Sequence, residues 1–220
     1  MPSAASRRLP FNLGRRETVW LSVLCATTAV GGLMLLLEDR PSPAPRAMAL
    51  VEAAPKPQAA ALDRIFETKA PADQGRWRGI VIHHSGSALG SPESITRQHN
   101  AKGLKGLGYH FVISNGQGAP DGQIFVGYRW QEQLPGAHVT GTMAEQFNRQ
   151  TIGICLIGDG ERREFTEAQV ARLSELVSAL QGRLGIEDPF VYLHRDVAPT
   201  ASPGRLFPES EFRQRLAEAR

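Results

Sequence analysis

The sequence predicts an α/β (α+β) domain with a single central, mostly mixed β-sheet flanked by helices, preceded by an N-terminal transmembrane helix. Two observations lead to this prediction. Along residues 76–220, short apolar runs typical of buried strands alternate with segments whose apolar residues recur at helical spacing. Upstream, residues 18–37 carry no charged side chain and as a helix are long enough to cross a bilayer.

The predicted strands are apolar runs that end at turn residues or polar loops. The turn Asn115-Gly116 separates two of them and favours a reversal of the chain. The strands cover Ile80–Ile82, Tyr109–Ser114, Ile124–Tyr128, Thr151–Ile157 and Phe190–Leu193.

The helix that begins at Thr166 has the clearest signals. Thr166 and Gln169 fit a capping box, and Gly185 is placed to end the helix. Two further helices are predicted at 92–101, opened by a proline at the first helical position, and at 208–219. The helix that begins at Thr166 carries one apolar stripe at helical spacing, which predicts a face in the core: Val170, Leu173, Leu176, Val177, Leu180 and Leu184.

The N-terminus predicts export. A basic segment, residues 1–17, precedes the apolar residues 18–37, and this arrangement keeps the N-terminus in the cytoplasm. We predict an uncleaved, single-pass signal anchor in the cell membrane, with the C-terminal domain periplasmic or extracellular. A cleaved signal peptide is the alternative, although the run is long for one. Both interpretations export the domain. The basic residues are Arg7, Arg8, Arg15 and Arg16.

Residues 38–75 predict a linker or stalk before the folded domain at 76–220. The segment is rich in alanine and proline, a composition typical of extended spacers. Within it, the apolar residues Ala60–Phe66 either dock on the domain or form a short helix.

Composition excludes some functions. The net charge is only +3, and no basic stripe with interleaved aromatic residues is present, so nucleic acid is not a predicted partner. The two cysteines, Cys25 and Cys155, lie in separate predicted segments. We therefore expect no disulfide and interpret both as small buried apolar residues.

Two predicted strands end in histidine. His83 and His84 follow the first strand, and His194 follows the last one. Neutral imidazole is a common zinc ligand, and loops on a rigid scaffold often carry binding groups. The pattern suggests a metal site assembled across the fold, with ordinary hydrogen-bonded histidines as the alternative.

Together, five segments in this order resemble the zinc-dependent N-acetylmuramoyl-L-alanine amidases. The same superfamily includes phage T7-type lysozyme and the peptidoglycan recognition proteins. The resemblance extends from about Arg76 to the C-terminus. Each motif alone is unspecific, but five in the family's order are a strong signal. They are Val81–Ser85, Gly108–Ile113, Gly136–His138, Asn148 with Thr151–Ile154, and His194–Gly204.

The resemblance implies hydrolysis of the amide between N-acetylmuramic acid and the L-alanine of the stem peptide. It implies zinc ligands at His83 and His194, with the metal polarising the carbonyl and lowering the pKa of a bound water. Tyr109 would support the attacking water or the oxyanion. Thr200 would be a second polar catalytic residue.

The same resemblance implies that His138 and Asn148 contact the glycan and peptide, with His84 beside the metal site as a further substrate-binding residue. Taken by themselves, the residues have ordinary explanations. His138 fits a loop residue, Asn148 a turn residue and Tyr109 a half-buried strand aromatic. His110 alternates to the opposite side of the strand from Tyr109 and is interpreted as structural.

Ser202 departs from the family pattern. The third zinc ligand, eight residues after the second histidine, is cysteine or aspartate in the family, whereas serine is a neutral hydroxyl and not a usual zinc donor. Serine here also resembles the receptor-type recognition proteins, which bind peptidoglycan without zinc or hydrolysis. Two functions therefore stay open: an exported zinc amidase anchored by residues 18–37, and a zinc-free peptidoglycan-binding module. Peptidoglycan or muropeptides are the partners in both. A third, structural role of a tethered periplasmic domain has less support.

Overall fold

The computed structural model describes residues 62–73 and 75–219. The predicted cytoplasmic segment, the predicted transmembrane segment 18–37, Cys25 and most of the predicted linker lie outside the described residues. Within the described ranges, no helix is both long enough and apolar enough to cross a membrane.

A five-stranded mixed sheet forms the centre of the domain, as the sequence predicts. Its order is β3-β2-β4-β1-β5. The three pairs β1·β4, β1·β5 and β2·β4 are parallel, and only β3 at the edge runs antiparallel, to β2. The strands are β1 (Gly79–His84), β2 (Phe111–Ile113), β3 (Ile124–Val126), β4 (Thr151–Leu156) and β5 (Val191–Leu193).

The long helix α4 has the ends that its sequence predicts. Thr166 and Gln169 exchange capping-box hydrogen bonds, and Gly185 ends the helix in the left-handed conformation with φ 72°. The helices are α1 (Pro92–Ala101), α2 (Tyr128–Gln131), α3 (Ala144–Gln150), α4 (Glu167–Leu184), α5 (His194–Val197) and α6 (Glu209–Glu218), with 3₁₀ turns at Arg64–Phe66 and Asp188–Phe190.

Each face of the sheet has a different role. Alternate strand residues, including Ile80, Ile82 and Ile154, pack under the apolar stripe of α4 and two residues of α6. On the opposite face, Val112 and Cys155 pack with α1 and the loop that precedes β2. His83 pairs with Cys155 in the register and so lies on this second face, at the carboxyl end of β1.

Several strand boundaries differ from the prediction by one or two residues. β2 begins at Phe111 and β5 at Val191, and the predicted third strand ends at Val126 because the chain turns at Gly127 into α2. Gly127 N donates to His110 O at 2.7 Å, and a Cβ at this position would come within 2.8 Å of Tyr109 O. The close crossing of two backbones therefore redirects the chain.

The packed domain extends into the segment predicted as linker. Ile65 is 4% exposed and belongs to the main core. Trp130 Nε1 donates to Ile65 O at 2.5 Å, and the Phe66 ring packs edge-on against Trp130. Lys69 N donates to Gln131 O at 2.8 Å. Of the two alternatives for the apolar segment, docking on the domain is therefore observed from Leu62 onward, with a short 3₁₀ turn.

Candidate functional site

The two strand-end histidines meet. His83 lies at the end of β1, and His194 begins α5 directly after β5, which is the parallel neighbour of β1. The centroids of their imidazole rings are 4.2 Å apart. The parallel pairing of β1 and β5 brings two loops that are distant in sequence to the same edge of the sheet.

One nitrogen of each ring is buried and unpaired. His83 Nδ1 and His194 Nε2 find no hydrogen-bond partner among the residues that the structure describes. Burial lowers the pKa of His83 well below its ordinary value, and the neighbouring His138 and His194 lower it further. Burial, with a smaller effect of His84, lowers the pKa of His194 to about 4. Both rings are therefore neutral near pH 7, which is the state in which imidazole binds a metal.

Ser202 reaches the same end of β1. It is 5% exposed, and its Oγ accepts a hydrogen bond from His84 N at 3.1 Å. Its own N–H donates to Thr200 Oγ1 at 3.2 Å, and its carbonyl accepts from Arg195 N at 2.8 Å. These bonds fold the loop after α5 back onto β1.

The donor set fits a metal only in part. Two neutral imidazole nitrogens are suitable for zinc, whereas the Ser202 hydroxyl supplies no negative charge. Asp196 does not replace it, because its Oδ2 accepts from Leu193 N at 2.8 Å at the start of α5. In the described part of the chain, no group of three or more His, Cys, Asp or Glu side chains is arranged to hold a metal ion.

Tyr109 lies beside the histidine pair. Its ring centroid is 5.1 Å from that of His83, and its hydroxyl lies near the Cys155 thiol. Burial, together with Cys155, raises the pKa of Tyr109 well above its ordinary value. The phenol therefore keeps its proton and acts as a hydrogen-bond donor. Cys155 is buried, as predicted.

Two predicted substrate-binding residues use their polar groups inside the protein. Asn148 Oδ1 accepts from His138 N at 2.8 Å and from Val139 N at 3.0 Å, and its Nδ2 donates to Val139 O at 2.9 Å. His138 is only 6% exposed and lies behind His83, with a distance of 3.0 Å from its Nδ1 to His83 Nε2. Contact of either side chain with substrate stays a prediction.

The other two predicted residues are more accessible. Thr200 is exposed on the loop after α5. His84 is half-buried, and its Nδ1 accepts from Gly160 N at 3.0 Å, beside Asp159 and Glu161. His84 directly follows His83, and Thr200 is linked to the site through Ser202, whose hydroxyl accepts from His84 N. The structure assigns neither residue a role.

Sequence reasoning missed the residues that support His138. A Cβ at Gly136 would come within 2.3 Å of the His138 ring, and one at Gly153 within 2.5 Å. His138 Nε2 lies 3.3 Å from Thr151 O. The available signal was Gly153 itself, since a glycine inside an apolar strand often marks the close approach of another group.

Comparison with known proteins identifies the family of this chain. A family model described as N-acetylmuramoyl-L-alanine amidase matches residues 73–205. The endolysin of Enterobacteria phage T3 is 32% identical over 114 residues, 50% of this chain and 66% of the endolysin. Peptidoglycan-recognition protein SC2 of Drosophila melanogaster is 30% identical over 134 residues, 56% of this chain and 66% of that protein. The chain thus spans just under two thirds of the length of these relatives.

Solved structures share the fold. The endolysin amidase LysCS of Clostridium intestinale URNW superposes with a TM-score of 0.56 at 29% identity, over 67% of this chain and 89% of that one. Wild-type Drosophila PGRP-LB has a TM-score of 0.50 at 26% identity, over 62% of this chain and 81% of that one. The family match covers more than half of the 220 residues and includes every site residue described above. The chain therefore belongs to the N-acetylmuramoyl-L-alanine amidase family.

Proposed function

We propose that this protein is an exported, membrane-anchored peptidoglycan amidase that hydrolyses the amide between N-acetylmuramic acid and the L-alanine of the stem peptide. One observation carries the proposal: His83 Nδ1 and His194 Nε2 are buried nitrogens without a partner in the described ranges, on rings 4.2 Å apart. Buried polar atoms are rarely left unpaired, and those that are often have a ligand to bind.

His83 and His194 would hold the zinc ion, with the Ser202 hydroxyl beside them. When bound, zinc supplies a Lewis acid that polarises the amide carbonyl and lowers the pKa of a water. Because Ser202 is neutral and already accepts a hydrogen bond from His84 N, we expect weaker zinc binding than a cysteine or aspartate would give.

The polar residues around the pair have complementary roles. The protonated Tyr109 phenol can donate a hydrogen bond to the oxygen on which charge develops. Thr200 Oγ1 accepts from Ser202 N, which leaves its own O–H free to donate to a substrate carbonyl. These donors orient the substrate over the histidine pair.

Export and anchoring rest on the sequence of the N-terminal segment. The basic residues 1–17 and the charge-free residues 18–37 support a single-pass anchor with the domain outside the cytoplasm. Peptidoglycan, as the substrate of the family, is found in that compartment.

Ser202 favours a second function, a zinc-free peptidoglycan-binding module. Its hydroxyl helps to close the loop onto β1 and provides no anionic ligand. Among the relatives are peptidoglycan-recognition proteins as well as endolysins. In this case the same surface would bind muropeptides, and the amide would stay intact.

Zinc content and product analysis on the full-length chain decide between the two functions. The protein is purified without chelator, its zinc is quantified by mass spectrometry, and muropeptides are assayed for release of the L-alanine amino group. For an amidase we expect about one zinc per chain, lost in His83→Ala and kept in the control His110→Gln, together with cleavage.

The two functions differ in their expected results. Muropeptide binding without zinc, even after zinc is added, would establish the binding module and reject the amidase. A zinc-loaded protein that releases no L-alanine amine from muropeptides would also reject hydrolysis. Failure to bind muropeptides or cleave them would reject both proposals.

A further inference from the structure

We infer that His138 is a positioning residue, which holds His83 as the Nε2–H tautomer and thereby leaves Nδ1 as the free nitrogen that faces the site. The role of that nitrogen as a zinc ligand rests on the proposed function. The tautomer itself follows from hydrogen bonds within the protein.

The carbonyl of Thr151 determines which nitrogen of His138 carries the proton. His138 Nε2 lies 3.3 Å from Thr151 O, and a carbonyl oxygen can only accept. His138 Nε2 therefore carries the proton. In a neutral ring the other nitrogen, Nδ1, is then an acceptor.

The tautomer of His138 in turn determines the tautomer of His83. His138 Nδ1 lies 3.0 Å from His83 Nε2, so His83 Nε2 must donate. His83 Nδ1 is then unprotonated, and it is the ring nitrogen that has no partner in the part of the chain described. Burial keeps both rings neutral, since the pKa of each lies well below its ordinary value.

The position of His138 is fixed by the fold. Its backbone N–H is held by Asn148 Oδ1, and its ring occupies the space that the missing side chains of Gly136 and Gly153 leave. The His83 and His138 rings meet edge to face, with centroids 4.9 Å apart and an interplanar angle of 81°. Groups that orient a ligating histidine through its second nitrogen commonly affect metal affinity.

The test uses the full-length, metal-free chain labelled with ¹⁵N-histidine, which contains six histidines. Long-range ¹H–¹⁵N spectra report which nitrogen of each ring is protonated. For wild-type His83 we expect a protonated Nε2 whose proton is protected from exchange. His138→Phe fills the space but cannot accept, so this protected proton should be lost and zinc affinity should fall by roughly 10- to 100-fold.

Two further variants separate positioning from stability. His138→Gln can accept from His83 and donate to Thr151 O, so it should retain the protected proton and keep zinc affinity within about threefold of the wild-type value. His110→Phe is the matched control. It removes another buried histidine, whose nitrogens bond to Leu134 O and Gly153 N, and should lower stability but leave the His83 signals and zinc affinity unchanged.

Two results would overturn the inference: protonation of wild-type His83 on Nδ1, or an unchanged protected His83 proton in a folded His138→Phe protein. If that variant does not fold, His138→Leu provides the same comparison with a smaller apolar side chain. The proposed function fails separately. A wild type with the expected tautomer that binds no zinc would refute the zinc amidase and leave the positioning of His83 by His138 intact.

Discussion

The ring of His138 lies over Gly153 in the middle of β4, so close that a Cβ at position 153 would come within 2.5 Å of its Cδ2. Gly153 pairs with Val81 in the central parallel strands. The histidine that supports the candidate site therefore occupies the side-chain space of a core strand, and the absence of a side chain at Gly153 provides room for it.

Gly153→Ala should displace this ring. We expect a loss of about 1–3 kcal/mol in the free energy of unfolding, because an added methyl group in a packed site forces a local shift. Zinc affinity should fall at least about tenfold as His83 loses its oriented partner. Urea denaturation and zinc titration measure the two effects.

Gly182→Ala is the control for this substitution. Gly182 lies in α4, and a Cβ there would contact nothing within 4 Å. We expect it to raise stability by about 0.5–1 kcal/mol, since alanine is the better helix residue. If Gly153→Ala has the same stability and zinc affinity as Gly182→Ala, the His138 ring does not pack closely against Gly153 in β4.

Ser202→Cys should strengthen the metal site. A thiolate provides the anionic zinc donor that the serine hydroxyl cannot, so both zinc affinity and amidase rate should rise. Ser202→Ala loses the acceptor for His84 N without adding a ligand, so neither its zinc affinity nor its amidase rate should exceed that of the wild type. Calorimetric zinc titration and product analysis provide the readouts. An unchanged affinity and rate in a folded cysteine variant would count against this description of the site.

Ile65→Ala should show that the domain begins before residue 76. Ile65 is 4% exposed and packs in the main core, so truncation should cost about 2–4 kcal/mol in the free energy of unfolding. Leu89→Ala, at a position 69% exposed, should change stability by no more than about 0.5 kcal/mol. Urea denaturation measures the free energy of unfolding of both variants. Equal stabilities would mean that Ile65 belongs to the linker, as the sequence suggested.

Acid should destabilise the protein partly through His110. Burial lowers the pKa of His110 from 6.5 to about 3, so the unfolded chain binds a proton that the folded one does not. This contribution to stability is complete above pH 6.5 and is lost as the pH falls from there toward 3. The slope for one proton is about 1.4 kcal/mol per pH unit.

His110→Gln tests this dependence. Glutamine can retain the hydrogen bonds to Leu134 O and from Gly153 N, but it does not titrate. Its free energy of unfolding, measured in urea between pH 7 and pH 4, should decline less steeply than that of the wild type. Parallel curves would exclude the titration of His110 as a cause.

Some elements could be read from sequence because their signals are local. The capping box of Thr166 and Gln169, the left-handed Gly185 and the apolar stripe of α4 involve neighbours along the chain, and all are observed. The meeting of His83 with His194 was also predictable, since both follow strands of one sheet and the family resemblance paired them.

Other features depend on partners that are far apart in the chain. The segment around Ile65 docks through Trp130, 65 residues away, and the predicted third strand is cut short where Gly127 crosses the backbone of residues 109 and 110. Neither contact leaves a periodic pattern in the sequence. The prediction from local propensity therefore placed the end of the linker and the end of the third strand too late in the chain.

By itself, the sequence determined the family, the alternation of strands and helices, the two site histidines and the substitution at Ser202. Only the tertiary structure decided that His138 lies behind His83, 55 residues away, and that the carbonyl of Thr151 sets the polarity of both rings. The physical reason is that a tautomer depends on which donor or acceptor stands within about 3 Å of each nitrogen. That distance is set by how strands and loops pack, and residue identity alone does not contain it.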